Sequence, residues 1–352
     1  MHAIIATKQY YFVHNQGVIM SIKLSKWLTT SALGLSLLTF GASAQAVERL
    51  RVAGNHPVED AVSRSMVVFK DLVEERSNGE IKVDLFPAMQ LGGATENVDQ
   101  VRSGTLFATL ISSAYLTRLV PEYEALSLPF LFDSRAQAFD MVEGKVGQQL
   151  SDKMAKQGFE VLSYGEIGFR HVTNNLRPIE KAEDFQGMRI RLQPNEVHLQ
   201  TFRALGANPV SMDVSELYSA LQQGVMDAQE NPYSTIDSRR FNEVQKHLSD
   251  TSHFYDLLVV MANKRRFERL SPEHQEIVQT AMQEAMQWQR DTAEEEDNGY
   301  RDKLVAAGMT FTSITPEVRD ELRSATASVV DQVKNRVDAD FVDLVIEEAA
   351  AQ

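Results

Sequence analysis

Residues 214–233 read VSELYSALQQGVMDAQENPY, and this stretch contains the two signals that decide the fold class. Its first half predicts a helix, because apolar residues fall on one face at helical spacing. Its second half, 227–233, predicts a short strand that ends in polar side chains. A helix that leads into such a strand is typical of an α/β protein. The apolar helical face consists of Val214, Leu217, Tyr218 and Leu221.

The same alternation continues along the chain and predicts an α/β protein with parallel sheets. Short apolar or alternating runs predict strands at 50–52, 81–85, 106–111, 159–163, 188–192 and 257–261. The last run is continuously apolar, which is typical of a parallel strand covered on both faces. The sequence contains no internal repeat and no low-complexity linker, so any division into two domains must be made by strands that cross between them.

Three helices have clear boundaries in the sequence. Apolar residues of 62–73 recur at helical spacing, and Ser77-Asn78-Gly79 ends this helix with a left-handed cap. Ser271-Pro272-Glu273 begins a long helix, since serine caps the free amides, proline fits the first turn and the acid meets the helix dipole. This helix is predicted to continue to about Glu296, and Thr315-Pro316-Glu317 begins a final helix in the same way.

The N-terminal residues, 1–46, predict a cleaved secretory signal peptide. Lys23 and Lys26 precede an apolar run, 27–40, which is followed by small residues that suit a cleavage site. The run is shorter than the roughly 20 residues that cross a bilayer, which disfavours a membrane anchor; a buried helix is the other alternative. A start at Met20 would give a signal of ordinary length. We therefore expect a leader over 1–46 and a mature protein in the periplasm.

Composition and missing motifs exclude several classes of protein. The chain has 352 residues, a formal net charge of −14 and no cysteine, which excludes disulfide scaffolds and thiolate metal sites. The acidic charge argues against binding to nucleic acid or anionic lipid. No nucleophile elbow, Walker loop or zinc-protease motif is present, and the eight histidines lack metal-ligand spacing. We expect no cofactor, no metal and no catalysis, with the histidines at the surface or at a pocket edge.

Three polar segments follow predicted strands and are candidates for a binding site. They are 168–174 (GFRHVTN), 187–192 (GMRIRL) and 227–233 (DAQENPY). In α/β sheets, ligands bind outside the carboxyl ends of the strands. An arginine there suits a carboxylate, because its planar guanidinium forms two parallel hydrogen bonds. Arg189 and Arg191 share one strand face, although a surface ion pair is the ordinary alternative for any single arginine.

These segments resemble the substrate-binding proteins of tripartite ATP-independent periplasmic (TRAP) transporters, the DctP-like family. The resemblance extends from about Leu50 to the last helix, and residues 216–232 are its most distinctive part. Further matching segments are 86–92 (FPAMQLG), 168–170 (GFR), 188–191 (MRIR) and 205–212 (LGANPVSM).

The resemblance implies a periplasmic binding protein fold of two α/β lobes, joined by crossing strands and braced by one long helix. We assign 47–167 and about 257–296 to lobe 1, and 168–256 and about 297–352 to lobe 2. The resemblance also implies that the lobes close on the ligand and deliver it to a small and a large membrane subunit. Transport is then driven by an ion gradient. We expect the receptor itself to be a monomer.

The resemblance further implies roles for individual residues. Arg191 corresponds to the arginine that makes the main salt bridge to the ligand carboxylate, Arg170 to a second arginine that supports it, and Asn231 to an amide that contacts the carboxylate. Positions at strand ends add further candidates for the pocket: Asn55, His56, Ser112, Ser113, Gln193, Glu196 and Tyr233.

Two features narrow the ligand class. Val214 occupies the position at which sialic-acid receptors of the family carry an aromatic residue, which argues against sialic acid. Polar candidates such as His56, Gln193 and Glu196 suit hydroxyl groups, so a sugar acid such as a hexuronate or an aldonate is favoured over a C4-dicarboxylate. Other interpretations stay open: a receptor of an ATP-driven importer, a periplasmic enzyme acting on uronic acids, and an accessory to a sensor.

Overall fold

The computed structural model describes residues 47–351, so the predicted leader lies outside the described residues. Within this range, none of the helices combines the length and the apolar character needed to cross a membrane.

Strands and helices alternate between residues 47 and 351. The strands are β1 (Glu48–Gly54), β2 (Ile81–Phe86), β3 (Ala108–Ser112), β4 (Phe159–Asn174), β5 (Arg189–Leu192), β6 (Asn208–Ser211), β7 (Ala228–Asn231), β8 (His247–Asn263) and β9 (Thr310–Ser313). The α-helices are α1 (Ala61–Arg76), α2 (Ala94–Ser103), α3 (Arg135–Glu143), α4 (Lys145–Lys156), α5 (Glu196–Ala204), α6 (Val214–Gln222), α7 (Tyr233–Ser238), α8 (Lys264–Glu268), α9 (Pro272–Ala306), α10 (Pro316–Thr326), α11 (Ser328–Lys334) and α12 (Ala339–Ala350). Short 3-10 helices cover Ser113–Leu116, Pro121–Ser127, Ala182–Phe185 and Phe241–Glu243.

Local sequence sets the starts of the two helices that were predicted from capping signals. Ser271 caps α9 and Thr315 caps α10, each by accepting a backbone N–H with its side-chain oxygen, and Asp60 caps α1 in the same way although its start was not predicted. The predicted ends are less accurate. α9 continues to Ala306 instead of ending near Glu296. α10 is not the final helix, because α11 and α12 follow it.

The strands of the described chain form a single mixed sheet in the order β2-β1-β3-β8-β4-β7-β5-β6, with β9 paired to β8. The outer strands pair in parallel, β1 with β2 and β3, and β5 with β6 and β7. The central strands β4 and β8 are 16 and 17 residues long and antiparallel to each other. One end of β8 pairs with β3 and the other with β9, while β4 pairs with β7. β4 and β8 are therefore the crossing strands that join the two lobes.

Two predictions about these crossing strands were wrong. Residues 257–261 were expected in a parallel strand, but they lie in the part of β8 that is antiparallel to β3 and β4. The run is continuously apolar because alternate residues enter hydrophobic clusters on opposite faces of the sheet, so burial and not strand direction explains it. The strand predicted at 159–163 continues to Asn174, since bulges let its glycines and polar residues stay in the ladder.

Hydrophobic clusters cover both faces of the sheet in each lobe. In lobe 1, α1 and α9 pack on one face of β1, β3 and β8, and α3 and α4 lie on the other. In lobe 2, α5 and α10 pack on one face, and α6, α7 and the end of α9 pack on the other. Each lobe is thus a three-layer arrangement of helices, sheet and helices, which is the α/β architecture that the sequence predicts.

The C-terminal helices differ from the predicted assignment of 297–352 to lobe 2. α10 packs in lobe 2, where Leu322 enters the core. α11 and α12 instead share a cluster with α3 and α4 of lobe 1, to which Val333, Phe341 and Val345 contribute. The chain returns to lobe 1 because these short helices carry the apolar side chains that complete its outer layer.

Helix α9 spans both lobes. It packs along α1 and β4 and reaches α7 in lobe 2. At a rise of 1.5 Å per residue, its 35 residues extend about 52 Å. The buried side chain of Gln289 ties the helix to a crossing strand, since its amide donates to the Glu166 carbonyl at 2.8 Å and accepts from the Glu166 N–H at 2.8 Å. The helix is therefore anchored where β4 passes from one lobe to the other.

The side chain of Glu166 is almost completely buried at this crossing. Arg135 of α3 donates its Nε to Glu166 Oε1 at 2.8 Å, and its Nη2 lies 3.2 Å from Oδ2 of Asp297 in α9. Burial raises the pKa of Glu166 to about 7, although the positive charge of Arg135 acts to lower it. This carboxyl group therefore titrates near neutral pH at the junction of α3, β4 and α9.

We predict that Glu166 contributes less to stability as the pH rises. Its folded pKa lies above the unfolded value of about 4.3, so its contribution is complete below that value and is lost as the pH rises through about 7. The free energy of unfolding of wild type, relative to Glu166→Gln, should fall by up to about 3 kcal/mol between about pH 4 and about pH 8. Denaturant titrations of both proteins at each pH measure this difference.

The matched control for this experiment is Glu347→Gln, which removes a carboxylate from the exposed side of α12, away from the crossing. If the free energy of unfolding of wild type changed with pH in parallel with that of Glu166→Gln, the raised pKa of the buried Glu166 carboxyl group would be contradicted.

Candidate functional site

The carboxyl ends of the parallel strands in the two lobes meet around one cavity. β1 and β3 contribute to it from lobe 1, and β5 and β7 contribute from lobe 2. The cavity encloses about 430 Å³ of empty space, including the part open to solvent. The structure places these predicted site residues on its wall: Asn55, His56, Ser112, Arg170, Arg191, Gln193 and Asn231.

Arg170 in β4 is fully buried, and the protein itself occupies its donors. Its Nε and Nη2 bond the carboxylate of Glu230 in β7, with Nη2 at 2.8 Å from Oε1. Its Nη1 donates to Oδ2 of Asp256 in β8 at 2.7 Å. Nη2 also donates to the Glu230 carbonyl at 2.7 Å and approaches Asn231 Oδ1 at 3.3 Å. This Arg170 network of one cation and two carboxylates leaves no excess positive charge on Arg170 for a ligand.

Two histidines lie behind the Arg170 network, where the sequence analysis had expected surface or pocket-edge positions. That expectation was wrong for His198 and His253, which are both buried. Burial lowers the pKa of His198 to about 3 and also lowers that of His253, so both rings are neutral near pH 7. Burial alone would raise the pKa of Glu230, but the charge and hydrogen bonds of Arg170 hold it well below its usual range.

Arg191 in β5 is just as deeply buried, with 1% of its surface exposed, yet it pairs with no carboxylate of the described chain. Its Nε donates to the Met212 carbonyl at 2.8 Å, which orients the guanidinium. Its Nη2 has no acceptor within residues 47–351. A buried cation in this condition is unfavourable unless an anion is supplied. Arg189, two residues earlier, is exposed and is paired with Asp227, so only Arg191 serves the cavity.

Several other polar atoms on the cavity wall lack hydrogen-bond partners in the part of the chain that the structure describes. They include both amide atoms of Asn55, Oε1 of Gln193 and the hydroxyl of Thr235. The Gln193 amide has a defined orientation, because its Nε2 donates to Asp256 Oδ2 at 3.2 Å, so its Oε1 is an unfilled acceptor. Asn55 presents one donor and one acceptor whichever way its amide is turned. Since buried polar groups are normally bonded, these atoms indicate where a solute binds.

Two other predicted residues, Ser112 and Asn231, stabilise the cavity wall through internal hydrogen bonds, and His56 lies beside a carboxylate. Ser112 donates to Asp256 Oδ1 at 2.6 Å and caps the 3-10 helix that follows it. Asn231 donates its amide to Gln229. His56 Nδ1 lies 3.4 Å from Oδ2 of Asp60.

Tyr233 does not line the cavity, contrary to the prediction. Its ring stacks on His171 with centroids 4.0 Å apart, because α7 begins at this residue and turns the side chain away. Thr235, two residues later in α7, lines the cavity instead. Ser113 and Glu196 also lie off the cavity wall: Ser113 is buried in the 3-10 helix, and Glu196 pairs with Arg203 along α5.

The sequence analysis missed three polar residues of the cavity, Thr235, Arg239 and Tyr115. Arg239 follows α7 and is adjacent to Arg240, and two consecutive arginines in a sequence are usually expected at the surface. Tyr115 lies in the 3-10 helix after β3, and burial raises its pKa, so its phenol stays protonated and can donate. One usable signal was overlooked: Asp256 stands alone in the apolar run of 254–262, which indicates a buried partner for an arginine.

Across residues 47–351, no group of three or more His, Asp or Glu side chains is arranged to hold a metal ion. The two-lobed fold, the cavity at the strand ends and the unpaired Arg191 together define a receptor for a small anionic solute.

Comparison with known proteins agrees with this class. Residues 52–336 match the DctP family model, described as bacterial extracellular solute-binding protein, family 7. The 2,3-diketo-L-gulonate-binding periplasmic protein YiaO of Escherichia coli (strain K12) is 36% identical over 273 residues, which are 78% of this chain and 83% of that protein. The chain therefore belongs to the DctP family of bacterial extracellular solute-binding proteins.

Solved structures share its fold. The sugar acid binding protein DctPAm of Advenella mimigardefordensis, in complex with galactonate, superposes with a TM-score of 0.84 at 30% identity, covering 86% of this chain and 98% of that chain. A TRAP periplasmic solute binding protein of Sulfurospirillum deleyianum with bound succinate gives 0.81 at 31% identity, covering 85% and 98%. The protein is thus a periplasmic TRAP solute receptor for small organic acids and not an enzyme.

We predict that removal of the two buried arginines has unequal effects on stability. Arg170→Met leaves Glu230 and Asp256 buried without their cation, so the free energy of unfolding should fall by about 3–5 kcal/mol. Arg191→Met removes a buried cation that has no carboxylate partner, so the relief of that unfavourable charge offsets the lost hydrogen bond to a carbonyl, and the free energy of unfolding should fall by no more than about 1 kcal/mol. Denaturant unfolding of the ligand-free proteins measures both values. Equal losses would contradict the separate roles of the two arginines.

Proposed function

We propose that this receptor captures a sugar acid, such as a hexuronate or an aldonate, and binds its carboxylate through Arg191. One observation carries the proposal: the guanidinium of Arg191 is buried at the cavity, and its Nη2 has no acceptor among the described residues. A ligand carboxylate would supply the missing charge and two acceptors in the fork geometry that arginine prefers. Arg170 supports this arrangement as part of the cavity wall, since its own charge is already balanced.

The uncharged atoms of the cavity favour a hydroxylated ligand. Gln193 Oε1 and the amide oxygen of Asn55 can only accept hydrogen bonds, so they require donors from the solute. Sugar hydroxyl groups provide such donors, whereas an ionised dicarboxylate such as succinate provides acceptors alone. The names of two relatives agree with this chemistry, because YiaO is named for a diketogulonate and DctPAm was solved with galactonate.

A C4-dicarboxylate is the alternative within the same family, and the succinate complex of a structural neighbour favours it. In that case water molecules would have to donate to Gln193 and Asn55. The alternative therefore predicts a wetter site with weaker discrimination between acids.

We further propose that the solute joins the two lobes and that the closed receptor delivers it to the small and large membrane subunits of a TRAP transporter. Asn55 approaches the solute from lobe 1 and Arg191 from lobe 2. Lobe 1 then comprises about 47–167, about 257–296 and the helices α11 and α12, and lobe 2 comprises 168–256 and the remaining residues after α9. We expect the receptor to act as a monomer.

We predict that Arg191→Ala weakens binding of the preferred acid at least a hundredfold, because the carboxylate then stays buried without a cation. Arg191→Lys should also be impaired, since an ammonium group cannot reproduce the fork. A thermal-shift screen of galactonate, glucuronate and succinate selects the acid, and titration calorimetry measures its Kd. Arg189→Ala is the matched control, as it removes an exposed arginine of the same strand. Unchanged affinity in Arg191→Ala would refute the proposal.

Gln193→Met should discriminate between the two ligand classes. The substitution removes the unfilled acceptor, so a hydroxylated acid should bind about tenfold more weakly, while the affinity for succinate should change little. Calorimetry with galactonate and succinate gives the two ratios, and denaturant unfolding shows whether the lost bond to Asp256 affects the fold. An equal change for both acids would favour the C4-dicarboxylate alternative.

A further inference from the structure

A third arginine, Arg239, lines the same cavity, and the proposed function gives it no role. Arg239 follows α7 and is largely enclosed between the lobes. Its Nη2 donates to the Asn55 carbonyl at 2.6 Å, which connects lobe 2 to the end of β1. Its Nε is buried without a partner in residues 47–351. Arg239 therefore has donor capacity at the wall of the cavity that the protein does not use.

The charges around Arg239 leave its guanidinium without direct compensation. No described carboxylate forms an ion pair with it. Asp60 and, more weakly, Asp213 attract it without direct contact. The Asp60 carboxylate already accepts from the Val62 amide at 2.9 Å and lies 3.4 Å from His56. Burial lowers the pKa of Arg239, and the positive charge of Arg191 lowers it further. Two cations that form no ion pair with a described carboxylate thus repel each other at the cavity wall.

We infer that Arg239 binds a second anionic group of the solute, so that the receptor prefers a hydroxylated diacid of the aldarate type over a sugar acid with one carboxylate. The inference rests on the proposed function, because it takes Arg191 as the site of the first carboxylate. It adds a second anchor and a narrower class of ligand.

The balance of charge distinguishes the diacid from the monoacid. A monoacid brings one negative charge to two unpaired guanidinium groups, whereas a diacid brings two. In an enclosed site of low dielectric, the second charge is attracted strongly and also removes the repulsion between Arg191 and Arg239. A terminal hydroxyl group could accept a hydrogen bond from Arg239, but it would leave the cation uncompensated. The hydroxyl groups of an aldarate would still donate to Gln193 and Asn55.

The test compares acids that differ only at one end. Titration calorimetry is performed with two stereochemically matched pairs, galactarate with galactonate and glucarate with gluconate. In at least one pair, the diacid should bind wild type ten times more tightly or better. Arg239→Gln should reduce this ratio to below threefold while it changes the affinity for the monoacid little. A purely structural role of Arg239 would instead weaken both acids equally.

Arg240→Gln is the matched control, because it removes the adjacent, exposed arginine, and it should keep the wild-type ratio. Arg239→Lys retains the charge and should retain part of the preference, which tests the inference even if Arg239→Gln folds poorly. Monoacids that bind wild type as tightly as their diacids in both pairs would overturn the inference and leave the sugar-acid proposal intact. Absence of binding by all four acids and by glucuronate would instead overturn the proposed function, and the inference with it.

Discussion

The buried network of Arg170 with Glu230 and Asp256 is the interaction on which the binding site depends. It connects β4, β7 and β8 where the crossing strands pass between the lobes, and its three groups are all shielded from water. Such groups are stable only when every charge is balanced and bonded, so the network leaves little freedom to the strands that carry it. Because its guanidinium is already paired with these two carboxylates, Arg170 is not available to bind the carboxylate of the solute. Arg191 has no counter-ion among the described residues, so it supplies the charge that the carboxylate of an organic acid requires.

Both lobes share one sheet, which restricts how they can move. Any displacement of one lobe relative to the other has to pass through β4, β8 and α9, because these elements connect the lobes. The bulges in β4 between Glu166 and Gly168 and between Arg170 and Val172 interrupt the ladder at this place. Gln289 holds α9 to the same segment through two backbone hydrogen bonds. The parts of the molecule that bind the solute and the parts that connect the lobes are therefore neighbours in β4.

The chemistry of the cavity is set by what the protein leaves unpaired. Ser112 and Asn231 form hydrogen bonds with other residues of the cavity wall. By contrast, side-chain atoms of Asn55, Gln193 and Thr235 have no hydrogen-bond partner among the described residues. An acidic protein with a formal net charge of −14 thus encloses a locally positive, acceptor-rich cavity. Net charge describes the surface, but selectivity follows from the few groups that are removed from water. This explains how the receptor can attract an anion despite its overall charge.

The sequence alone determined the α/β class, the capped starts of α9 and α10, and the strand ends at which seven of the ten predicted site residues line the cavity. These features depend on local periodicity, capping and strand-end position, which a single sequence contains. Tertiary structure decided the rest. The direction of residues 257–261, the return of α11 and α12 to lobe 1 and the enclosure of Arg239 depend on which surfaces meet across long sequence separations. Arg170 and Arg191 are chemically identical in sequence. Only the fold brings Glu230 and Asp256 to the first and leaves the second unpaired, because charge compensation is a property of neighbours in space.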